Sequence, residues 1–510
     1  MRKKRWILIM MAIALSMMPL TGCKEKKAEI VDDNYRNVYE IFVASFNDSD
    51  GDKVGDLNGV TAKLDYIQDM GYTAIWFMPI HPSPSYHKYD VTDYYGIDEA
   101  YGTMEDFDKL VAEAHKRDIN IILDLVVNHS SSSHPWFLSA KTAYANNKES
   151  EYLDWYNFAD HFMQGYAKIN NTAYYEARFV DSMPDLNLSN EEVRAEIVKI
   201  MKFWLDKGVD GFRLDAVTSY YTGNHGYSTD FINWLNTEAK KIKEDCYIVG
   251  ECWESDSVIK QYYTSGADSF FQFSMSQGDG TIAKCLKVTS PARYYKNAME
   301  SAWKLAGTAI PAIFLDNHDV NRITGGIGRS KTAETKMAYG LAAMIGGCIY
   351  TYYGTEIGMV GSGKDENKRI AMLWDSDDTS KLCKNPAGAT QSEYAYPGVK
   401  QQQSDKNSLL NYHKTVNNLR NKYPSIARGT AEFVDSLSSD DVLVLKKTWN
   451  EETIVMVINL HAENTYDINL ESLGSLKLGD YAAAKDSKTE YKGNVLAIGP
   501  YTIAILTGGK

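Results

Sequence analysis

The chain has 510 residues, which exceeds the size at which one hydrophobic core stops growing, so we expect more than one domain. Hydrophobic residues make up 44% of the sequence and charged residues 24%, a composition that excludes a disordered, collagen-like or polytopic membrane protein. The formal net charge of −13 argues against nucleic-acid binding, which requires a basic surface.

The N-terminus carries the pattern of a bacterial export signal. A basic stretch precedes an apolar run from Trp6 to Leu20, which is short for a membrane-spanning helix. The next residues, Leu20-Thr21-Gly22-Cys23, resemble a lipobox, in which the cysteine is lipidated after residues 1–22 are removed. We therefore expect an extracellular, cell-surface lipoprotein that Cys23 anchors to the membrane, with residues 23–34 as a charged tether. An ordinary secretory signal with an incidental cysteine is the alternative.

Eight short apolar runs alternate with helical segments through most of the chain. Most of these runs are nearly continuous in apolar residues, which is typical of parallel strands buried on both faces. The predicted strands are Val38–Val43, Thr73–Pro79, Asn120–Val127, Gly208–Ala216, Cys246–Gly250, Ser269–Phe273, Ala312–Leu315 and Gly347–Tyr353. Alternation of eight strands with helices predicts an α/β fold of the (β/α)8 TIM-barrel type, and a doubly wound sheet is the alternative that periodicity alone allows.

The clearest helices are predicted over Glu105–Arg117 and Glu191–Lys207, where apolar residues recur on one face. Ser189 and Glu192 stand at capping-box spacing before the second of these helices, and Gly208 follows its end. These signals predict where the second helix begins and ends.

Two regions interrupt the alternation. Residues 129–185 are polar and rich in Tyr and Asn, which predicts an inserted domain after strand 3. Residues 426–510 contain short alternating runs separated by polar turns, which predict a C-terminal all-β domain with a β-sandwich fold. The catalytic barrel would then comprise residues 35–128 and 186–425.

Charged and polar side chains recur where four of the predicted strands end. In a parallel barrel, these C-terminal strand ends meet at one mouth, which is where the chemistry takes place. The strand-end residues are Asp124, Asn128, His129, Arg213, Asp215, Glu251, Asp316, Asn317, His318 and Asp319. Because a buried carboxylate is costly unless it is paired or used, four such sets indicate an active site rather than four structural ion pairs.

The carboxylates at two of these strand ends suit different roles. Arg213 lies two residues before Asp215, so both project from the same face of their strand. A nearby arginine favours an ionised carboxylate, which predicts that Asp215 is the nucleophile. Glu251 has no equally close arginine in the sequence, which predicts that it is the proton donor and later the base. A retaining glycosidase requires this pair.

These segments resemble the signature regions of the α-amylase family of retaining glycoside hydrolases. The matching segments are Asp124–His129 (DxxxNH), Gly211–Ala216 (GFRxDA), Gly250-Glu251 (GE), Phe314–Asp319 (FxxNHD), Met183–Asn187 and Tyr352–Glu356. Any single segment is weak evidence, but their order and spacing extend over nearly the whole chain and together are specific.

The resemblance implies a double displacement in which Asp215 attacks the anomeric carbon while Glu251 protonates the leaving oxygen. It implies that Asp319 stabilises the distorted, oxocarbenium-like sugar. Tyr89 matches an aromatic platform beneath the same ring. The substrate-binding residues that the resemblance implies are Tyr89, His129, Arg213 and His318.

A short acidic loop follows the first predicted strand. The side chains of four aspartates and one backbone carbonyl would offer oxygen ligands to a cation; the residues are Asp48, Asp50, Asp52, Val54 and Asp56. Ca²⁺ prefers six to eight oxygen ligands. The loop resembles the calcium loop of the oligo-1,6-glucosidase and neopullulanase-like branches of the family, so Ca²⁺ is the predicted cofactor. A solvated acidic turn is the alternative.

We predict an α-amylase that cleaves internal α-1,4 bonds of starch and maltooligosaccharides, as a monomer with no nucleic-acid partner. Ala216 resembles α-1,4-acting members of the family. Val217–Tyr221 replaces a Lys-His pair of many α-amylases, which leaves Tyr220 or Trp253 as a contact to the leaving glucan. The alternatives are an oligosaccharide-acting α-glucosidase, a neopullulanase-like enzyme or a 4-α-glucanotransferase, and more distantly a non-catalytic glucan-binding barrel.

Overall fold

The computed structural model describes residues 29–508. The predicted signal peptide and the predicted lipidation site at Cys23 lie outside the described residues. Between residues 29 and 508, no helix combines the length and the apolar character that a membrane crossing requires.

A closed parallel barrel forms the centre of the fold, with its strands in the order β1-β2-β3-β7-β8-β9-β10-β11 around the ring. Its strands are β1 (Asn37–Ile41), β2 (Ala74–Phe77), β3 (Asn120–Leu125), β7 (Gly211–Leu214), β8 (Tyr247–Gly250), β9 (Ser269–Phe271), β10 (Ile310–Phe314) and β11 (Cys348–Tyr352). Each predicted strand overlaps one of these, so the predicted (β/α)8 barrel is confirmed and the doubly wound alternative is wrong.

The barrel strands are buried along almost their whole length. Every residue of β1, β7 and β8 is buried, and in β3 only Asn120 is partly exposed. Helices cover the outside of the barrel and side chains fill its inside, so neither face of a strand meets water. This burial explains why the strands read as continuous apolar runs in the sequence.

The helices surround the barrel and connect its strands. In chain order they are α1 (Leu57–Thr61), α2 (Leu64–Asp69), α3 (Met104–His115), α4 (Pro135–Ala145), α5 (Glu191–Asp206), α6 (His225–Ile242), α7 (Asp256–Tyr262), α8 (Thr281–Cys285), α9 (Pro291–Ala306), α10 (Ile323–Ile327), α11 (Thr332–Ile345), α12 (Asp365–Lys368), α13 (Val399–Ser404), α14 (Leu409–Lys422) and α15 (Ser425–Arg428).

The cap of α5 differs from the prediction. Asn190, not Ser189, is the N-cap, and its side chain accepts hydrogen bonds from the N–H groups of Glu192 and Val193. Asn190 is extended and directly precedes the helix, so its Oδ1 reaches the free N–H groups, whereas Ser189 lies one residue too early. A complete capping box is found instead at α3, between Thr103 and Asp106.

The segment between β3 and β7 contains α4 and a three-stranded sheet of β4 (Phe158–Ala159), β5 (Tyr166–Asn170) and β6 (Ala173–Glu176). An antiparallel bridge between His129 and Asp185 joins the two ends of this insertion. The bridge therefore attaches the insertion at the mouth of the barrel, at His129, which is itself a predicted substrate residue.

Two antiparallel sheets follow the barrel. Their strands are β12 (Thr430–Phe433), β13 (Val442–Trp449), β14 (Glu452–Asn459), β15 (Tyr466–Asn469), β16 (Leu476–Ala483), β17 (Glu490–Lys492), β18 (Val495–Ile498) and β19 (Thr502–Gly508). The sheets have the orders β12-β13-β14-β19-β16 and β15-β18-β17. Val444 and Val457 of the larger sheet share a core with Leu496 and Ile498 of the smaller one. The predicted all-β C-terminal region is confirmed.

Candidate active site

A cleft of about 410 Å³ lies at the C-terminal ends of the barrel strands. Its wall includes Asp215, directly after β7, Glu251, directly after β8, and Asp319, after β10. The barrel therefore brings the three predicted catalytic carboxylates together from three different strands.

Arg213 is fully buried and connects the carboxylates beneath the cleft. Its Nη1 donates to Asp215 Oδ1 at 2.7 Å and to Asp124 Oδ1 at 2.8 Å, and its Nη2 pairs with Glu251 Oε2 at 2.9 Å. Glu251 has no equally close arginine in the sequence, but in the structure Arg213 is close to it. Because β7 and β8 are neighbours, one guanidinium reaches both carboxylates.

The pKa of Glu251 is nevertheless raised above its ordinary value. Burial is the largest cause, and the opposing effect of Arg213 is partly offset by the negative charges of Asp215 and Asp319. A carboxyl group that holds its proton more tightly suits a general acid. The environment thus fits the predicted proton donor, but through burial and like charges rather than through distance from an arginine.

The backbone beside the nucleophile position is in an unusual conformation. Ala216 has a φ of 43°, in the left-handed region that residues with a side chain rarely adopt. In this conformation its N–H donates to Glu251 Oε2 at 3.0 Å, the same oxygen that pairs with Arg213. Among the contacts of residues 29–508, Oε1 receives neither bond, so it is the oxygen available to carry the proton.

Asp319 lies between an arginine and a histidine. Its Oδ1 pairs with Arg369 Nη2 at 2.8 Å and its Oδ2 with His318 Nε2 at 2.9 Å. Burial raises the pKa of Asp319, but the positive charges of His318 and Arg369 outweigh it and hold the pKa well below its usual range. Sequence reasoning missed Arg369, because it lies 50 residues from Asp319 and outside any recognised segment.

Of the predicted substrate residues, Tyr89 and His129 line the cleft, whereas His318 is fully buried and contacts Tyr89. The Tyr89 hydroxyl lies 2.7 Å from His318 Nε2, and the two rings stack with their centroids 5.7 Å apart. His129 is 2% exposed and lines the cleft, and its Nε2 has no hydrogen-bond partner among residues 29–508. Because buried polar atoms are nearly always hydrogen-bonded, a substrate hydroxyl is a fitting partner for this nitrogen.

The two residues considered for contact with the leaving group have different positions. Trp253 lines the cleft, is 52% exposed and stacks on Phe273 with a centroid distance of 5.0 Å. Tyr220 is 6% exposed, packs edge-on against Phe231 and is not among the described residues that line the cleft. Trp253 is therefore the better placed of the two, and a contact from Tyr220 stays a prediction.

The acidic loop after β1 brings together three of its predicted ligands. Carboxylate oxygens of Asp48, Asp50 and Asp56 lie within 4.8 Å of one another. Asp52 stands apart from this group, and its Oδ1 accepts a hydrogen bond from the Val54 N–H at 2.6 Å. An all-oxygen, acidic donor set fits a hard cation such as Ca²⁺, so these residues are compatible with the predicted cofactor.

Comparison with known proteins agrees with this geometry. Residues 40–429 match the family model described as the α-amylase catalytic domain. The chain belongs to the α-amylase family of glycoside hydrolases. It is therefore an enzyme, and the predicted family resemblance is confirmed.

Relatives within this family extend over nearly the whole chain. Alpha-amylase 3 of Dictyoglomus thermophilum is 39% identical over 485 residues, covering 92% of this chain and 93% of its own. An oligo-1,6-glucosidase of Heyndrickxia coagulans is 30% identical over 533 residues, covering 87% and 95%. The solved structure of Eubacterium rectale Amy13B is 42% identical, with a TM-score of 0.90 and coverage of 95% and 97%. These similarities support an α-glucan hydrolase.

Proposed function

We propose that the protein is an extracellular α-amylase that cleaves internal α-1,4 bonds of starch and maltooligosaccharides with retention of configuration. One observation carries the proposal. Asp215 and Glu251 pair with the same buried guanidinium, and Asp319 completes the carboxylate set in the same cleft. An ionised nucleophile beside a carboxyl group with a raised pKa is the arrangement that a retaining glycosidase uses.

In the first step, an Asp215 oxygen forms a bond to the anomeric carbon while the bond from that carbon to the leaving oxygen breaks. The leaving oxygen takes the proton of Glu251, so the released chain departs as an alcohol. In the second step, the Glu251 carboxylate takes a proton from water as the water oxygen attacks the anomeric carbon. Asp215 is released as a carboxylate and Glu251 is again protonated.

The surrounding residues bind and polarise the reacting sugar ring. Asp319, held by Arg369 and His318, presents negative charge to a ring that becomes positive in the transition state. The unpartnered Nε2 of His129 is available to a ring hydroxyl. Trp253 offers an exposed aromatic surface to the leaving chain.

A time course of products from amylose, pullulan and isomaltose tests this function. We expect rapid shortening of amylose to a series of maltooligosaccharides, with little glucose from isomaltose. Oligosaccharide-acting α-glucosidase is the second candidate, and the relatives named oligo-1,6-glucosidase favour it. Fast release of glucose from isomaltose, without shortening of the amylose chains, would favour the α-glucosidase over the α-amylase.

For the acidic loop we propose a Ca²⁺ ion held by Asp48, Asp50 and Asp56. Bound Ca²⁺ would neutralise the mutual repulsion of these carboxylates. Asp56 also caps α1 by accepting from the Gly59 N–H, so the ion would fasten the loop to that helix. Binding to the folded state alone raises stability by about 2.7 kcal/mol at a ligand concentration of 100 Kd.

Thermal unfolding with and without a calcium chelator tests the ion. We expect chelation to lower the melting temperature and added Ca²⁺ to restore it. Asp50→Ala should weaken this response, whereas Asp378→Ala, at another exposed aspartate, should not. A melting temperature indifferent to chelator, with no metal found by elemental analysis, would contradict the site.

The lipobox supports an anchored location. We propose that lipidated Cys23 holds the enzyme at the outer surface of the cell membrane, where products of a polymer too large to enter the cell are released close to it. The several acyl chains of a lipoprotein hold more firmly than one chain. Cys23→Ser should leave hydrolysis unchanged and remove the protein from the membrane fraction or leave it unprocessed. A processed Ser variant that still fractionates with membranes would contradict the anchor.

A further inference from the structure

The structure contains a buried carboxylate behind the active site that the mechanism above does not use. Glu40 lies on β1 and is 1% exposed. It follows Val38 by two residues, and Val38 packs inside the barrel, so Glu40 points inward as well. Its Oε1 lies 2.6 Å from His318 Nδ1.

The two ring nitrogens of His318 face two different carboxylates. Nδ1 faces Glu40 at 2.6 Å, and Nε2 faces Asp319 at 2.9 Å. A neutral imidazole carries one N–H, so one of its nitrogens would face an ionised carboxylate with a lone pair toward a lone pair. The hydrogen-bond partner of Nε2 is the Tyr89 hydroxyl at 2.7 Å, and Asp319 faces the same nitrogen as an ion-pair partner. A doubly protonated imidazolium donates to Glu40 through Nδ1 and places its positive charge between the two carboxylates, which makes it the form that suits this arrangement.

We propose that Glu40 is a positioning residue that keeps His318 as an imidazolium, and that through His318 it keeps Asp319 ionised and correctly oriented. This inference rests on the proposed function, because it assigns to Asp319 the stabilisation of the reacting sugar. With Nδ1 fixed by Glu40, the positively charged ring stays within 2.9 Å of one oxygen of Asp319, while Arg369 holds the other. Both oxygens of Asp319 are thereby fixed before substrate arrives.

The charges around His318 agree with this proposal. Burial lowers the pKa of His318, but the carboxylates of Asp319 and Glu40 outweigh it and raise the pKa to about 10. The other charged and titratable groups nearby come from the neighbouring elements: Tyr89 after β2, Asp124 on β3, Arg213 on β7 and Arg369 after β11. The pKa of Glu40 itself is raised above its ordinary value: burial is the largest cause and Asp319 adds to it, while His318 and Arg213 offset only part of the rise.

Glu40→Gln removes the charge and keeps the shape. A glutamine oxygen still accepts from Nδ1–H, so the ring stays in place, but the pKa of His318 should fall by about 1 to 3 units without the second carboxylate. On a dinitrophenyl α-maltoside, whose leaving group needs no proton from Glu251, kcat should begin to fall at a lower alkaline pH in Glu40→Gln than in the wild type, with less change in KM. Glu40→Asp keeps the charge and should retain part of the wild-type alkaline limb.

Glu356→Gln is the matched control. Glu356 is also fully buried and accepts from Tyr39, whose side chain leaves β1 on the opposite face from Glu40. Glu356→Gln changes charge and size as Glu40→Gln does, but Glu356 makes no contact with His318. We expect the shape of its pH profile to match that of the wild type.

Nitrogen NMR of histidine-labelled free enzyme, with the His318 signals assigned by loss in His318→Gln, tests the proposal without activity. In the wild type both ring nitrogens should remain protonated up to about pH 9, about one unit below the pKa of about 10. In Glu40→Gln the titration should move down. A wild-type His318 that titrates near its ordinary value, or a Glu40→Gln titration that does not move, would overturn the proposal. If the wild type hydrolysed no α-glucan, the proposed function would fail while this titration still decided the role of Glu40.

Discussion

Replacing Glu251 with glutamine removes its proton transfer, first as acid and then as base, and leaves the other parts of catalysis in place. Both contacts to this side chain, from Arg213 and from the Ala216 N–H, are made to Oε2. A glutamine can accept both contacts with its amide oxygen, which places its NH₂ group where Oε1 carries the proton. The amide is neutral, as the protonated acid is, so the charges around Arg213 at the start of the reaction are unchanged. Only the transferable proton is lost.

The size of the loss depends on how much the leaving group needs that proton. General acid catalysis contributes about 10²- to 10⁴-fold, or about 2.7 to 5.4 kcal/mol of barrier at 1.36 kcal/mol for each factor of ten. Glu251→Gln should lose that factor in kcat/KM on maltoheptaose. On a dinitrophenyl α-maltoside, whose leaving group departs as a stable anion, the first step should be almost unaffected.

Parallel kinetics on both substrates check this expectation, with Glu254→Gln at a nearby exposed position as the control. Without a base the second step should become slow, so the activated substrate should show a burst followed by slow turnover. Azide needs no base and should restore turnover. Equal losses on the two substrates by a folded variant, with no response to azide, would refute the role of Glu251 as acid and base.

Three further changes test other parts of the molecule. Asp215→Asn should lower kcat on maltoheptaose by about 10⁴ or more at unchanged melting temperature, because no covalent intermediate can form, and a folded variant with near-normal turnover would contradict the assignment. Trp253→Ala should raise KM for maltoheptaose by about 2- to 10-fold, and change maltotriose less, if its exposed ring stacks on the leaving chain. Burial is the main cause, and the charge of Lys336 a smaller one, that lowers the pKa of His413 to about 3. Between about pH 6.5 and pH 3 the unfolded chain therefore binds a proton that the folded chain does not, so stability should fall as the pH drops through this range. In His413→Phe the free energy of unfolding should fall less steeply with decreasing pH, by up to about 1.4 kcal/mol per pH unit. The same slope of unfolding free energy against pH in the variant and the wild type would contradict this role of His413.

The sequence by itself determined the barrel and most of the cleft. Strands buried on both faces have to be continuously apolar, so the runs around Val38, Ile122 and Phe314 were visible without coordinates. Polar residues that directly follow such runs, Asp215 and Glu251 among them, lie at the mouth whenever the strands are parallel. Local pattern and strand direction are enough to assemble these positions.

Only the tertiary structure decided how the charges are paired. Glu40 and His318 are separated by 278 residues, and they meet because the strand ring closes through the pairing of β1 with β11. Arg213 reaches Glu251 because β7 and β8 are adjacent, and Arg369 reaches Asp319 from a loop with no motif of its own. The pKa of a buried group depends on burial and on every charge within a few ångströms, and neither quantity is a property of neighbouring positions in the sequence.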